Sequence, residues 1–569
     1  MIAARTRFTP APLPLLAAMG ALVMLSFAAY CQSPDAAAGQ PQSHSAEVNR
    51  VIDRIVLGEK QYAANMKKYS PRVETYLQYD RPDAGHEDVV TNDAYFLGRL
   101  NLGAKEEEIP FASSGNKLHR SSGGFKTILQ PFLPPHFFLD RFATSATVDT
   151  ENFDQGHYEF VPFGWEYLGD LRCLAIDVHP RNNAGAGAFE GRIWVEERNY
   201  AIVRLNGIRI NPARFRFYTH FDTWRENLRP GEWLPVYIYS AESDMAAGIS
   251  FKSETRLWGY DLTAPHQQDE WTNILVEAPA PVHDSSGANS DLSPVESMRQ
   301  LEIDAERNVL ERLEKARLIA PAGPVDKVLE TVLNNLVVSN HLDNLPPLQC
   351  RVMLTSPLES FTLRYTIVVS RGLLDVLPDE ASLAMLLAHE LAHVALGHRL
   401  DTKYAFKDRL LLPDEQVLAK LDLARDQQDE TDADAKAMEF LKNSPYKDKL
   451  ASAGLFLRAA AAVAPFTPQL FGAHMGNRLA TGNGMIRMAA LMTGAPQIKE
   501  KELDQIAALP LGSRLQVNAW DGTIVFSNRK AVALVDPSEK MPFRVSPLFP
   551  HLVRYEEVNN AKEVVSRAQ

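Results

Sequence analysis

Among the fifteen histidines of this 569-residue chain, two stand four apart in the run His389-Glu390-Leu-Ala-His393. Four residues is about one turn of helix, so both imidazoles leave the same face and can share a metal ion. Glu390, next to the first histidine, can reach a water held by that ion. This His-Glu-x-x-His order is the arrangement of zinc hydrolases, with the glutamate as general base. At this histidine and glutamate content, chance supplies the pattern only about 0.02 times per chain. Leu386, Leu387, Leu391, Val394 and Leu396 surround it without a proline or turn residue inside the run, which predicts a buried helix. Buried imidazoles need polar partners, and a metal supplies them.

A zinc site needs a third protein ligand. A histidine six residues past His393 would supply one, but that position is Arg399, and the glycine expected before it is Leu396. A ligand twenty residues on would fall at Pro413. Glu415 is near, but the position one turn beyond it is Ala419. Farther on, Glu430 and Asp434 lie one turn apart on a second expected helix. Glu430 could bind zinc while Asp434 accepts a hydrogen bond from a ligand histidine. The competing reading of this acidic cluster is a solvated helix face.

These residues together resemble the HtpX-type zinc metallopeptidases, a gluzincin family that includes the CAAX-prenyl endopeptidases and soluble exported relatives. That family joins His-Glu-x-x-His to a downstream Glu-x-x-Ala-Asp, here Glu430-Thr-Asp-Ala-Asp434. It also has an Asn-Ala-Phe strand, an Ile-x-Val strand and a Gly-Leu-Leu helix entry. Here Glu359-Ser360-Phe361, Ile367-Val-Val and Gly372-Leu-Leu stand at those places, with Glu-Ser replacing Asn-Ala. The resemblance spans about residues 323 to 495. It implies one Zn2+ per chain held by His389, His393 and Glu430, with Glu390 catalytic and Asp434 behind a ligand. It also implies that the strand Ser360, Phe361, Thr362 and Leu363 is an edge that holds an extended polypeptide substrate. A further histidine paired with an arginine assists near the metal in the family. His474 with Arg478 is one match, and Arg487 is another partner for it. His398 reads as structural, pointing elsewhere on the helix.

The elements that must position these groups follow from periodicity. Ala46 to Lys68 carries apolar residues at helical spacing. From about residue 70 to 275, β-branched and aromatic residues alternate between turn signals, which predicts an antiparallel sheet or half-barrel. A turn is expected at Glu197-Arg-Asn199. The segment Gly191-Arg-Ile-Trp194-Val through Ile202-Val-Arg204 resembles the LolA-like lipoprotein-carrier fold, over about residues 45 to 275. That resemblance implies an apolar cleft for acyl chains; the other reading is a plain β domain that orients the peptidase or binds partner proteins. Residues 278 to 292 are rich in Pro, Ser and Gly and read as a linker. Ser293-Pro294-Val-Glu296 is a helix start. A second helix is marked by Val325, Val328, Leu329, Val332, Leu333 and Leu336. Two alternating runs around Asp521-Gly522 predict a tight hairpin.

The predicted fold class is therefore α+β and multidomain. A signal segment (1–38) precedes an N-terminal antiparallel β half-barrel-like domain (45–277). A linker (278–294) leads to a mainly helical zincin-like metallopeptidase domain (295–500), and a small C-terminal β element (501–569) follows.

At the start, Arg5 and Arg7 precede an apolar run from Leu15 to Tyr30, and small and polar residues come next. This is the order of a secretory signal. The run is short against the roughly 20 residues of a spanning helix. Cys31, where the run ends, is a lipidation candidate; cleavage after Ala38 and an uncleaved anchor are the alternatives. All three predict an exported, periplasmic or envelope-associated protein, attached to a membrane surface if the N-terminus is lipidated or uncleaved. The net charge of −12 opposes binding to phosphate backbones, so no nucleic-acid partner is expected. Three cysteines, Cys31, Cys173 and Cys350, make no disulfide framework, and the last two are expected as free thiols.

Overall fold

Alternating residues between Arg72 and Trp258 build ten strands, as the periodicity predicts. They are β1 (Arg72–Asp83), β2 (His86–Asn101), β3 (Glu107–Ser113), β4 (Tyr158–Leu168), β5 (Leu171–Pro180), β6 (Ala188–Glu196), β7 (Ile202–Ile210), β8 (His220–Arg229), β9 (Glu232–Asp244) and β10 (Ile249–Trp258). The computed structural model describes residues 41–83, 86–101, 107–113, 143–149, 152–185, 187–210, 220–244, 249–261, 294–400, 418, 421, 423–472, 475–480, 486–498, 514–527 and 543–555. The signal segment with Cys31, His474 and most of the expected linker lie outside them.

The chain divides into two compact units, Met1–Val51 and Ile52–Gln569. What is described of the first is the start of helix α1 (Pro41–Met66). In the second, the ten strands form one antiparallel sheet in the order β3-β2-β1-β10-β9-β8-β7-β6-β5-β4. The turn expected at Glu197–Asn199 joins β6 to β7.

Both faces of the sheet are covered at its centre. On one face, Ile52, Ile55, Tyr62 and Met66 of α1 are buried. Glu59 of the same helix grips Arg225 of β8 through two contacts of 2.7 and 2.8 Å, and both side chains are buried. Trp224, the neighbour of Arg225 in the strand, points to the opposite face. There the segment 543–555 runs as a strap. Phe543 O accepts from Gln78 of β1, Leu548 N donates to Tyr237 of β9, and Leu552 packs with Trp194, Trp224 and Trp233. Tyr555 N reaches Asn227 of β8.

The helical region follows: α2 (Pro294–Lys315), α3 (Pro324–Ser339), β11 (Gln349–Met353), β12 (Glu359–Leu363), β13 (Thr366–Ser370), α4 (Arg371–Val376), α5 (Glu380–Leu396), α6 (Gln427–Lys442), α7 (Leu450–Val463), β14 (Asn477–Arg478) and α8 (Ala490–Thr493). A four-stranded sheet in the order β11-β13-β12-β14 lies among these helices. Among the described residues, no helix is long and apolar enough to cross a membrane.

The hairpin expected around Asp521-Gly522 is looser than a two-residue turn. Its strands are β15 (Leu515–Val517) and β16 (Ile524–Phe526), joined by residues 518–523. The side chains of Asn518 and Asp521 bond the loop backbone at Trp520 and Thr523. Trp520 O and Ala519 O accept from Asp261 and Tyr260, so the loop docks just past the end of β10.

The polar side chains of β1 and β2 that alternation would send to solvent are buried under the helical region. Glu74 accepts from Tyr95 (2.9 Å), Ser356 N (2.6 Å), Ser356 Oγ (2.9 Å) and Arg371 (2.9 Å). Asp93 accepts from the N–H groups of Gln469 and Leu470 and from Tyr76. Gly372 allows the close approach at Ser356, because a Cβ there would fall 1.8 Å from Ser356 O. Cys173 and Cys350 are free, as expected, and both are buried.

Burial raises the Asp93 carboxyl to about 7, and the three donors only partly offset it. The group therefore holds a proton in the folded chain at pH values where the unfolded chain, near 3.9, has released it. Its contribution to stability is full at low pH and is lost as pH rises through about 7. The stability of wild type relative to Asp93→Asn should fall by about 1 kcal/mol per pH unit between about pH 5 and about pH 7. Urea unfolding of both proteins across that range measures the difference, and parallel curves would refute it.

Candidate metal centre

Helix α5 carries the two histidines. Asp379 caps its N-terminus, accepting from Ser382 N at 2.9 Å, and an Ala- and Leu-rich run continues it. The run is buried nearly all round because α3, α6, α7 and β12 pack on it. Gly397, in the left-handed region at φ 72°, ends it. Helix α6 starts at the cap Asp426, which accepts from Asp429 N, and presents Glu430 and Asp434 one turn apart.

His389, His393 and Glu430 converge, as the resemblance implies. The two Nε2 atoms are 3.1 Å apart. Glu430 Oε2 is 3.2 Å from His389 Nε2, and Glu430 Oε1 is 3.4 Å from His393 Nε2. Ligand atoms bound tetrahedrally to one zinc at about 2.0–2.2 Å stand about 3.3–3.6 Å apart. Two imidazole nitrogens and a carboxylate with one oxygen toward each, 3.1–3.4 Å apart, come close to that spacing, and three protein ligands leave a fourth position open.

Charge follows the same plan. Burial would raise Glu430, but Arg487 and the two imidazoles outweigh it and hold the carboxyl far below its usual range. Burial pushes His393 down to about 4, so it is neutral at pH 7, as a ligand must be. His389 is raised: burial and Arg487 pull it down, but the bonds to Asp434 and Glu430 prevail.

Each ligand histidine is oriented from behind. Asp434 Oδ1 lies 2.8 Å from His389 Nδ1, while its Oδ2 accepts from Met488 N at 2.9 Å. His393 Nδ1 lies 2.9 Å from His398 Nδ1, and His398 Nε2 is 3.5 Å from Asp429. With Nε2 of His393 turned to a metal, its Nδ1–H donates to His398, whose own Nε2–H faces Asp429. His398 thus does not point away as expected. Gly397 folds the chain back, and His398 N bonds His393 O. Asp434→Ala should lower zinc affinity about 10–100-fold. Competition with a chromophoric chelator reads this directly, and a change below about threefold would exclude the orienting role.

Glu390 is fully buried. Its Oε1 accepts from Ser360 Oγ (2.7 Å) and Arg487 (3.2 Å), and its Oε2 from Thr362 Oγ1 (2.7 Å). Burial acts to raise its carboxyl, but Arg487 and the histidines overcome this and keep it below the usual range. Arg487 also approaches Glu430 at 3.3 Å. Of the two arginines considered, Arg487 is therefore placed at the metal centre. Arg478 contributes backbone to β14, and nothing is described of its side chain. His474 lies outside the described residues.

The strand expected as an edge needs correction. Ser360 to Leu363 pair with β13, but Glu359 and Ser360 also pair on the other side with β14, so of the four expected edge residues Ser360 is the one covered there. The cause is Glu359, whose carboxylate accepts from Met475 N (3.0 Å) and Gly476 N (2.9 Å) and ties that segment down. Thr362 O accepts from Arg425 at 3.1 Å. Sequence reasoning missed Arg425, the two hydroxyls on Glu390 and the His398 relay. Of these only the relay has a local sign, a glycine followed by histidine at a helix end.

A search of curated proteins finds no match. Similar solved structures include a DUF1329 family protein from Desulfovibrio piger, with 11% identity and a TM-score of 0.17, covering 35% of this chain and 90% of that one. A LolA superfamily protein from Nitrosomonas europaea has 11% identity and a TM-score of 0.17, covering 36% and 90%. A structure of the Pseudomonas aeruginosa MucA/MucB complex has 9% identity and a TM-score of 0.13, covering 37% and 93%. Superposition this loose carries no argument. The segment that builds the metal centre's first helix is different: residues 325–412 match the model of Peptidase family M48, whose members are zinc-dependent metallopeptidases.

Proposed function

We propose that the protein is an exported zinc-dependent endopeptidase that hydrolyses peptide bonds in polypeptides of the cell envelope, in quality control or processing. The observation that carries this is the joint placement of His389, His393 and Glu430 around one point, with the Glu390 carboxylate beside them. Zinc bound there supplies a Lewis acid for the scissile carbonyl and lowers the pKa of the attacking water. Glu390 takes the proton of that water and delivers it to the leaving amine. His398 and Asp434 keep the ligand rings in the tautomer that turns Nε2 to the ion. Support for export is the order of Arg5, Arg7, the apolar run and Cys31.

The test is metal analysis beside cleavage of an unfolded protein such as reduced casein. Purified protein should carry zinc and cut casein, stop on chelation and recover when zinc is restored. Zinc-loaded protein that leaves casein and other unfolded chains intact would overturn the reading.

A further inference from the structure

We propose that Ser360 and Thr362 are positioning residues for Glu390, and that they leave its Oε2 as the atom that takes the proton. This rests on the peptidase reading. The two residues are two apart on β12, so their side chains leave one face of the strand. Ser360 Oγ donates to Oε1 and Thr362 Oγ1 donates to Oε2, each at 2.7 Å. All three side chains are buried, so water does not compete for these bonds.

The direction of the Ser360 hydroxyl is fixed by its other partner. Arg487 donates to Ser360 Oγ at 3.0 Å, and a guanidinium has no acceptor to offer in return. The Ser360 proton is therefore turned to Glu390. A carboxylate has about four acceptor positions on its two oxygens. Ser360 and Arg487 fill both positions on Oε1, and Thr362 fills one on Oε2. The remaining position is on Oε2, where an attacking water can donate. Without the two hydroxyls, Arg487 would be the one donor left of these three, and the carboxylate could rotate about its terminal torsion. A general base works only within hydrogen-bond reach of its proton, so that freedom costs rate.

Ser360 also stands where the HtpX-type pattern has alanine. The grip through this hydroxyl is a property of this chain's own residues.

The experiment compares Ser360→Ala, Thr362→Val and Thr362→Ser with wild type and Glu390→Gln, all as full chains with zinc content measured. Valine keeps the shape of threonine and removes the hydroxyl; serine keeps the hydroxyl. Ser360→Ala and Thr362→Val should each lower kcat about 10–100-fold. KM and zinc content should stay within about twofold, and Thr362→Ser should keep kcat within about threefold of wild type. A hydroxyl that merely fills the core would not separate Val from Ser in kcat at constant KM. If Ser360→Ala does not fold, the Val and Ser pair at 362 decides alone. Wild-type or faster turnover in Thr362→Val, or a loss that follows zinc content, overturns the positioning role while the peptidase reading stands. Wild type that shows no Glu390-dependent cleavage removes the peptidase reading, and the positioning role with it.

Discussion

Glu390→Gln should keep its zinc and lose turnover by roughly 10²–10⁴-fold. The substitution is nearly isosteric. The three ligands do not include residue 390, so the metal should stay. What disappears is basicity: an amide cannot accept the proton of the attacking water. The amide NH2 group must also face either Thr362 or the Ser360–Arg487 pair, where the carboxylate offered only acceptors. Metal analysis and single-turnover cleavage on one preparation separate the two effects. Activity within about tenfold of wild type, with zinc bound, would remove Glu390 from the proton transfer.

The second large effect lies far from the metal. Glu74→Ala should destabilise the folded chain by about 3–5 kcal/mol. Glu74 and Arg371 are each 1% exposed and 2.9 Å apart. Removing the carboxylate leaves a buried guanidinium whose strongest partner is gone, and Ser356 N loses its acceptor as well. Replacing both members with apolar residues of similar volume should cost much less, because no buried charge is then left unpaired. Chemical denaturation of the single and paired variants measures this asymmetry. A single variant within about 1 kcal/mol of wild type would mean that the pair holds little.

The two results concern parts of the protein with unequal visibility in the sequence. The ligands and Asp434 were legible because helical periodicity turns a spacing of four into a shared face, at 389 and 393 and again at 430 and 434. The ten strands were legible through alternation of β-branched and aromatic residues. Glu74 and Arg371 have no such sign. They are separated by 297 positions, and a glutamate in an alternating strand reads as solvent-facing. It is buried because the helical region covers that face of β1, which no local pattern encodes. Arg487 reaches Glu390 and Glu430 from outside both motif helices, so spacing could not separate it from Arg478. The edge at β12 was misjudged at Ser360 because Glu359, a charged residue in a strand, binds two backbone N–H groups of a segment more than a hundred positions away. Tertiary contact, not propensity, decides each of these.

The strap at 543–555 bears on how such a chain is made. Tyr237 meets Ser546, a residue 309 positions later. During synthesis, the tryptophan-bearing face of the sheet therefore emerges long before the segment that covers it. Contacts of such separation form slowly, because a long loop must close before they yield any stability. Until then Trp194, Trp224 and Trp233 present an apolar surface open to misassociation.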